Sequence, residues 1–376
     1  MSDKSSSLRV LQVTARYFPY IGGIETHVYE VGRRLARMGA ETTVLTTDTS
    51  GQLPTSEVLE GVQVQRVPAW PTNKDYFYAP ALYRCITQGH WDLVHCQGFH
   101  TLVAPMAMFA AWRAGIPYVV TFHSGGDTSA LRKKLRGVQQ MALRPLLAQA
   151  QRLIGPSRWE VDYYQEHLHF SREQFTVVPN GAHHLSVKTG ALARKKSDKL
   201  IVSVGRLERY KGHHRVIAAL PEVQKHIPEV RLRIVGVGPY ESELRSLAER
   251  LGVAERVEIG AIPPGDSDGM ATVVGQADLV TLLSEHEAQG IAVLEALSLK
   301  RPVLVADTCA LSEFVESNLA RAVPLESSSE EVAMAIVRQL RDPLIPANVK
   351  LPTWDECAAS LYSLYQTIAG SHPVAA

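Results

Sequence analysis

Cysteine is scarce in this sequence: only Cys85, Cys96, Cys309 and Cys357 occur in 376 residues. Their spacing fits neither a zinc-ligand set nor a disulfide framework, so a reducing compartment is the default expectation. Long apolar runs are lacking too. The longest, Leu102 to Trp112, falls well short of the ~20 residues that cross a bilayer. No apolar leader follows the start. Met1 to Ser7 are polar and are expected to be disordered, and the protein is expected in the cytoplasm. An excess of one charge is also missing. The formal net charge is +1, with 18 basic and 14 acidic residues in 1–180 (+4) against 21 and 24 in the remainder (−3). That balance excludes a global field that would recruit nucleic acid, and no nucleic-acid partner is expected. The chain carries no G-x4-G-K-[ST], no solenoid repeat and no low-complexity tract.

What is present is the composition of a soluble globular protein, 45% hydrophobic and 20% charged, with a length that suggests two domains. Short β-rich runs alternate with helical patterns. Strands are expected at Leu8–Val13, Thr42–Thr46, Val62–Val67, Leu93–His95, Tyr118–Phe122, Leu153–Ile154 and Phe175–Val178, with helices such as His27–Met38, Leu102–Ala114, Val138–Ala150 and Trp159–His167. The second half repeats the rhythm, with strands at Leu200–Val204, Leu232–Val235, Val257–Ile259, Leu279–Leu282 and Pro302–Val305 and helices near 213–226, 240–251, 267–276 and 290–299. Strand, helix, strand in this order implies parallel sheets with crossover helices, hence two Rossmann-like, doubly wound α/β domains. The polar stretch from about Asn180 to Lys199 reads as a linker, and a helix from Trp354 carries Leu361, Leu364, Tyr365 and Ile368 at helical spacing. The expected division is a first domain over 1–185 joined by the terminal helix 354–370, and a second over 198–345.

Four stretches bear on chemistry. Phe18-Pro-Tyr-Ile-Gly-Gly-Ile-Glu25 follows the first strand; Gly22 and Gly23 either admit a phosphate at a helix N-terminus or simply make a tight turn. Gly205-Arg-Leu-Glu-Arg-Tyr-Lys-Gly212 follows the strand at Leu200–Val204. There Arg206 and Lys211 suit a diphosphate, one bidentately and one as a point charge, or else form a solvated basic loop. Glu287-Ala-Gln-Gly-Ile-Ala-Val-Leu-Glu295 sets one carboxylate on a loop and one inside a helix. Eight helical positions turn through about 800°, so one helix face would not pair them. They either hold two ends of a ligand, with the amides of Gly290 and Ile291 beside them, or are an acidic helix start and a surface glutamate. Finally, His123 in Thr121-Phe-His-Ser-Gly-Gly126 closes a buried strand, placed to bond a substrate hydroxyl or to serve the structure alone. Asp266-Ser-Asp268 resembles a metal-binding D-x-D, but three residues in a polar loop are close to chance, and no metal is expected.

Taken in order, Gly22-Gly23-Ile-Glu25, Thr121-Phe-His123, Val178-Pro-Asn-Gly181, Gly205-Arg-Leu…Lys211-Gly212, Ile234-Val-Gly-Val-Gly-Pro239, the E-x7-E of Glu287 and Glu295, and a helix begun by Trp354 resemble glycosyltransferase family 4, retaining enzymes of the GT-B fold, over essentially the whole chain. The resemblance implies two Rossmann-like domains with a cleft between them and a C-terminal helix returning to the first. It implies no cofactor but a nucleotide-sugar co-substrate, with UDP the commonest nucleotide of the family. Arg206 and Lys211 would neutralise the departing diphosphate. Gly23, Gly290 and Ile291 would offer it amides, Glu295 would hold the ribose, Glu287 would face the sugar and His123 would sit near the reacting carbon. Gly260-Ala-Ile262 would line the base. The expected function is sugar transfer to a glycan or lipid-linked acceptor in cell-surface or exopolysaccharide synthesis. The rivals are a nucleotide-sugar epimerase or phosphorylase on the same fold and a non-catalytic sugar-nucleotide sensor.

The sequence departs from the family in three places. Glu287-Ala-Gln-Gly290 stands where Glu-Gly-Phe-Gly is frequent, Ala182-His183 follows Asn180-Gly181 where an acidic residue is common, and His95 and Gln97 stand where many relatives carry two histidines. The basic run Arg132-Lys-Lys-Leu-Arg136, leading into an amphipathic stretch to Leu147, suggests peripheral contact with the inner membrane face through 132–147, or an ordinary solvated helix face.

Overall fold

A computed structural model describes residues 7–20, 22–72, 77–123, 130–182, 198–263 and 265–371, with the side chains of 130–136 set aside. The chain divides into two compact units. One comprises Met1–Ser124, Lys134–Gly181 and Trp354–Ala376; the other comprises Gly125–Lys133 and Ala182–Thr353.

In the first unit the elements run β1 (Arg9–Val13), α1 (Gly23–Arg37), β2 (Glu41–Asp48), β3 (Ser56–Leu59), β4 (Val62–Pro68), α2 (Ala81–Thr87), β5 (Leu93–Gln97), α3 (Val103–Arg113), β6 (Tyr118–Thr121), α4 (Ala130–Leu147, of which the part from Lys134 belongs to this unit), β7 (Arg152–Gly155), α5 (Arg158–Leu168) and β8 (Phe175–Val177). They build an eight-stranded sheet in the order β3-β4-β2-β1-β5-β6-β7-β8. Its pairings are parallel, except that β3 runs antiparallel to β4. The antiparallel edge was not expected from the strand–helix rhythm. Ser56–Leu59 is half-exposed and too polar to show as a buried strand, and the tight turn at Glu60-Gly61 folds it back. The order of strands reverses between β1 and β5, and ligands of open α/β sheets bind beyond the carboxyl ends of strands at such a point.

The second unit runs β9 (Lys199–Val204), α6 (His213–His226), β10 (Val230–Val235), α7 (Glu241–Arg250), β11 (Val257–Gly260), α8 (Ser267–Gly275), β12 (Leu279–Leu282), α9 (Ile291–Ser298), β13 (Val303–Asp307), α10 (Ser312–Glu316), β14 (Arg321–Pro324) and α11 (Ser329–Arg341). Its six-stranded sheet has the order β11-β10-β9-β12-β13-β14, parallel throughout, and reverses between β9 and β12. One face packs Ile201, Leu232, Leu279 and Leu304 against α6, α7 and α11; the other packs Val202, Val280 and Val305 against α8 and α9. Strands covered on both faces explain the near-continuous apolar runs in the sequence.

The element β14 and the helix α11 lie beyond the last strand expected from the sequence. Yet α11 announces itself: Ser328 and Glu331 form a capping box, and Val332, Ala333, Ile336, Val337 and Leu340 recur at helical spacing and are buried. The final helix, α12 (Trp354–Ser371), returns to the first unit. It packs Trp354, Leu361, Tyr365 and Ile368 with Val31 and Leu35 of α1 over Val10, Leu93, Val119 and Ile154 of the sheet. Each fully buried aliphatic side chain of that layer contributes about 1.5–3 kcal/mol. The opposite face of the same sheet is covered by α2, α3, α5 and the end of α4. Most of the linker expected at 180–199 lies outside the described residues.

Candidate active site

In the second unit the two loops that leave β9 and β12, the strands at the reversal, carry the charged residues singled out from sequence. Lys211 Nζ lies 2.7 Å from Glu287 Oε1, and the Ser284 hydroxyl donates to the same oxygen at 2.7 Å. Both partners of the ion pair are largely shielded, their side chains 16% and 13% exposed. The backbone joins the loops as well: the amide of Glu285 donates to the Tyr210 carbonyl at 2.7 Å. Arg206 is open to solvent, 63% exposed, and its guanidinium donates to the Tyr210 hydroxyl at 2.6 Å.

A residue missed in the sequence fixes the Arg206 turn. His213, fully buried at the start of α6, places Nε2 3.2 Å from the Arg206 carbonyl and Nδ1 2.8 Å from Ser203 Oγ. Burial lowers its pKa to about 4, so it stays neutral and donates one hydrogen to that carbonyl. The Gly-Val-Gly of 236–238 is explained by close approach. A Cβ on Gly236 would stand 1.9 Å from the Gly205 carbonyl oxygen, and one on Gly238 would stand 2.4 Å from that of Leu207.

The helix α9 begins at Ile291 after Gly290, whose φ is +87°. The first amides of a helix have no intrahelical acceptor, so those of Gly290 and Ile291 lie at a terminus that favours an anion. Glu295, one turn on, is partly buried, and among the described residues none donates a hydrogen bond to its carboxylate. Desolvation raises its pKa to about 7. A carboxyl whose pKa rises on folding costs stability as pH climbs from its ordinary value through 7, and the cost is complete above that. Stability of Glu295→Gln relative to the parent is therefore expected to increase by roughly 2–3 kcal/mol between pH 5 and pH 8. Urea unfolding at the two pH values measures this, and an unchanged difference would contradict it. Ile262, past the end of β11, packs against the apolar layer under α8 and α9. Asp266, first of the D-x-D, is spent as the N-cap of α8, accepting from the Gly269 amide at 2.8 Å.

In the first unit, Gly22 caps α1 in extended conformation and Gly23 is its first residue. The fifteen-residue α1 has Glu25 in its first turn and Arg34 and Arg37 in its last, matching the helix dipole. His123 lies two residues past β6, and its Nε2 is 2.8 Å from Gln97 Oε1. Burial, with His27, His95 and His100 nearby, holds its pKa well below the usual histidine range. The ring of His27 stands 5.0 Å from that of His123, edge to face. His27 Nδ1 is 2.6 Å from Asn180 Oδ1, and its burial lowers its pKa to about 4. The sequence marks Gln97 only as a departure from the family and gives no chemical role to His27 or Gln12. For Gln12 and Gln97 the one signal is a polar residue at a strand position that should be apolar; His27, on α1, gives none. Thus Arg206, Lys211, Ile262, Glu287, Gly290, Ile291 and Glu295 fall in one unit, with Lys211 and Glu287 in direct contact, and Gly22, Gly23 and His123 fall in the other.

A parallel α/β unit that gathers cations, carboxylates and a helix start at its strand reversal has them where open α/β sheets take their ligands. Two family descriptions match the chain, Glycosyltransferase Family 4 over residues 21–184 and Glycosyl transferases group 1 over residues 188–351. A D-inositol 3-phosphate glycosyltransferase from Nocardiopsis dassonvillei is 28% identical over an alignment that covers 90% of this chain and 86% of the relative. Among solved structures, sucrose-phosphate synthase from Thermosynechococcus elongatus matches with a TM-score of 0.78 at 20% identity, over 97% of this chain and 100% of the other. HepE of Anabaena, in complex with UDP-glucose, matches with a TM-score of 0.71 at 18% identity, over 97% and 98%. The fold is that of the GT-B glycosyltransferases. The chain belongs to glycosyltransferase family 4 and is a glycosyltransferase.

Proposed function

We propose that this glycosyltransferase moves a sugar from a UDP-sugar, with retention of configuration, to a glycan or lipid-linked acceptor in cell-surface or exopolysaccharide synthesis. The observation that carries the reading is the Lys211–Glu287 contact at the strand reversal, with Arg206 open beside it. Departure of a nucleoside diphosphate builds negative charge, which fixed cations and amides stabilise most in the transition state. Arg206, Lys211 and the amides of Gly23, Gly290 and Ile291 take the diphosphate, with Gly22 shaping the turn before α1. Glu295 takes the ribose, Ile262 the base, Glu287 the sugar, and His123 the sugar near its reacting carbon. On a front-face route the bond from the anomeric carbon to the phosphate oxygen breaks as the acceptor oxygen bonds on the same side. The acceptor's proton passes to the leaving diphosphate, so no enzymic nucleophile, metal or cofactor is needed. That HepE was solved with UDP-glucose supports the choice of nucleotide.

A melting-temperature screen of nucleoside diphosphates and their sugars, followed by the anomeric proton coupling of the product, tests this. A ligand bound by the folded state alone raises the melting temperature as RT ln(1+[L]/Kd). No shift with any nucleotide, or an epimer or sugar phosphate in place of a transfer product, would refute it; an inverted product would refute the retaining route.

Among the described residues no helix is long and apolar enough to cross a membrane. We extend the proposal to peripheral contact through 132–147, at the inner membrane face and from a cytoplasmic location. The run Arg132–Arg136 supplies positive charge, and Val138 and Met141 on α4 are 64% and 75% exposed. Flotation with anionic vesicles is expected for the parent and to be lost in Lys133→Glu/Lys134→Glu. Equal flotation of the two would end the membrane reading.

A further inference from the structure

The sheet face under α12 changes character along its strands. Near the amino ends it presents Val10, Leu93 and Val119; two residues further along, the same face presents Gln12, His95 and Thr121, then Gln97. Gln12, His95, Gln97 and Thr121 are at most 5% exposed, in a layer that elsewhere is apolar. Buried polar groups cost free energy unless bonded, and these are bonded to one another and to Tyr365 of α12.

The partners determine which way each group points. Gln97 Nε2 lies 2.6 Å from Gln12 Oε1 and 3.3 Å from His95 Nδ1. Gln12 Nε2 lies 3.3 Å from the Tyr365 oxygen, and that hydroxyl bonds His95 Nδ1. His95 Nε2 lies 2.6 Å from Thr121 Oγ1. With the Gln12 and Gln97 amides oriented as the structure has them, one assignment follows. Tyr365 O–H donates to His95 Nδ1 and accepts from Gln12, and His95 Nε2–H donates to Thr121. Gln97 then donates an amide hydrogen to Gln12 Oε1. Gln97 Oε1 has only its acceptor capacity left, and it faces His123 Nε2 at 2.8 Å. With the amides so held, the other His95 tautomer leaves the Tyr365 hydrogen without an acceptor among the described residues.

We infer that Tyr365, Gln12 and Gln97 form a positioning relay that holds His123 as the neutral Nε2–H imidazole, so that its Nδ1 is the ring nitrogen able to accept a hydrogen bond from a donor-sugar hydroxyl. The helix α12 is thereby linked to the candidate site chemically as well as by packing. Which ring nitrogen carries the proton decides whether the imidazole can accept from a substrate, and the second hydrogen bond of the ring sets it. The inference deepens the proposed function, because the use of His123 rests on that reading.

The test is the tautomer itself, read by two-bond nitrogen–proton correlation on the whole protein labelled with 15N-histidine. The His123 signals are assigned by their loss in His123→Asn. In the parent, His123 is expected to show a protonated Nε2 and a bare Nδ1; a protonated Nδ1 overturns the relay. In Gln97→Met, close in volume but unable to accept, and in Tyr365→Phe, the Nδ1–H form is expected to appear. In Gln97→Glu, which keeps the acceptor, the Nε2–H form is expected to persist. An unchanged tautomer in Gln97→Met or in Tyr365→Phe overturns the relay. UDP release from UDP-glucose is expected to lose about tenfold in kcat in Tyr365→Phe with little change in KM, a split that loosened packing alone would not produce. The parent's tautomer is measured without substrate, and His123→Asn serves only to assign its signals. Failure of sugar transfer would therefore sink the functional reading and leave the relay standing, and the wrong tautomer would do the reverse.

Discussion

Lys211→Met is expected to lower kcat/KM for sugar transfer by about a thousandfold, the scale seen when one preorganised donor to a developing anion is removed. Two effects act in the same direction. The variant loses a fixed cation from the loop after β9, and it frees Glu287, which among the described residues keeps only the Ser284 hydroxyl within bonding distance. A shielded carboxylate without its counter-ion repels an incoming diphosphate. It also costs the fold about 1–3 kcal/mol, which separates this pair from an exposed ion pair worth a fraction of that. Lys211→Arg should recover part of the rate, because charge returns without the original geometry. Steady-state kinetics with the donor found by the melting screen, alongside urea unfolding, measure both. A loss under tenfold would remove Lys211 from the diphosphate.

Gly212→Ala is expected to bring the second unit close to unfolding, at a cost of about 3–5 kcal/mol against a total stability of about 5–15. Gly212 joins Lys211 to α6 at a φ of +73°, and a Cβ there would lie 1.9 Å from the Leu283 carbonyl oxygen. That oxygen belongs to the backbone just past β12, so relief requires moving the loop toward Glu287 and not the tip of a side chain. Gly252→Ala is the control. Its φ is +67°, but nothing lies within 4 Å of the added carbon, so it should cost only about 1 kcal/mol. Thermal and urea melts of the two variants give the comparison. Equal costs would mean that left-handed strain alone explains Gly212.

The strands were legible because both sheets are covered on both faces. Runs such as Leu279–Leu282 are apolar throughout and bounded by turns. The exceptions share a physical cause. The edge strand β3 is half-exposed and polar, and β14 buries only Val323 of its four residues, so neither stands out as a buried run. The helix α11 is different, since its capping box and its apolar spacing are both in the sequence. The residues singled out for chemistry cluster at carboxyl ends of strands because the loops there follow directly from the strand boundaries. Their supports could not be read in the same way. His213 looks like any helix-start histidine until its two nitrogens are seen on Ser203 and the Arg206 carbonyl.

By itself the sequence determined the alternation of buried strands and amphipathic helices, because burial on both faces writes that pattern locally. It also determined the order of the glycine, cation and carboxylate motifs. Only the tertiary structure decided that β9 and β12 are neighbours and that Lys211 therefore meets Glu287, 76 positions away in the chain. It alone brought Tyr365 from the last helix to Gln12 near the start, 353 positions apart. Both pairings are long-range hydrogen bonds, set by where packing places whole elements, and no local propensity encodes them.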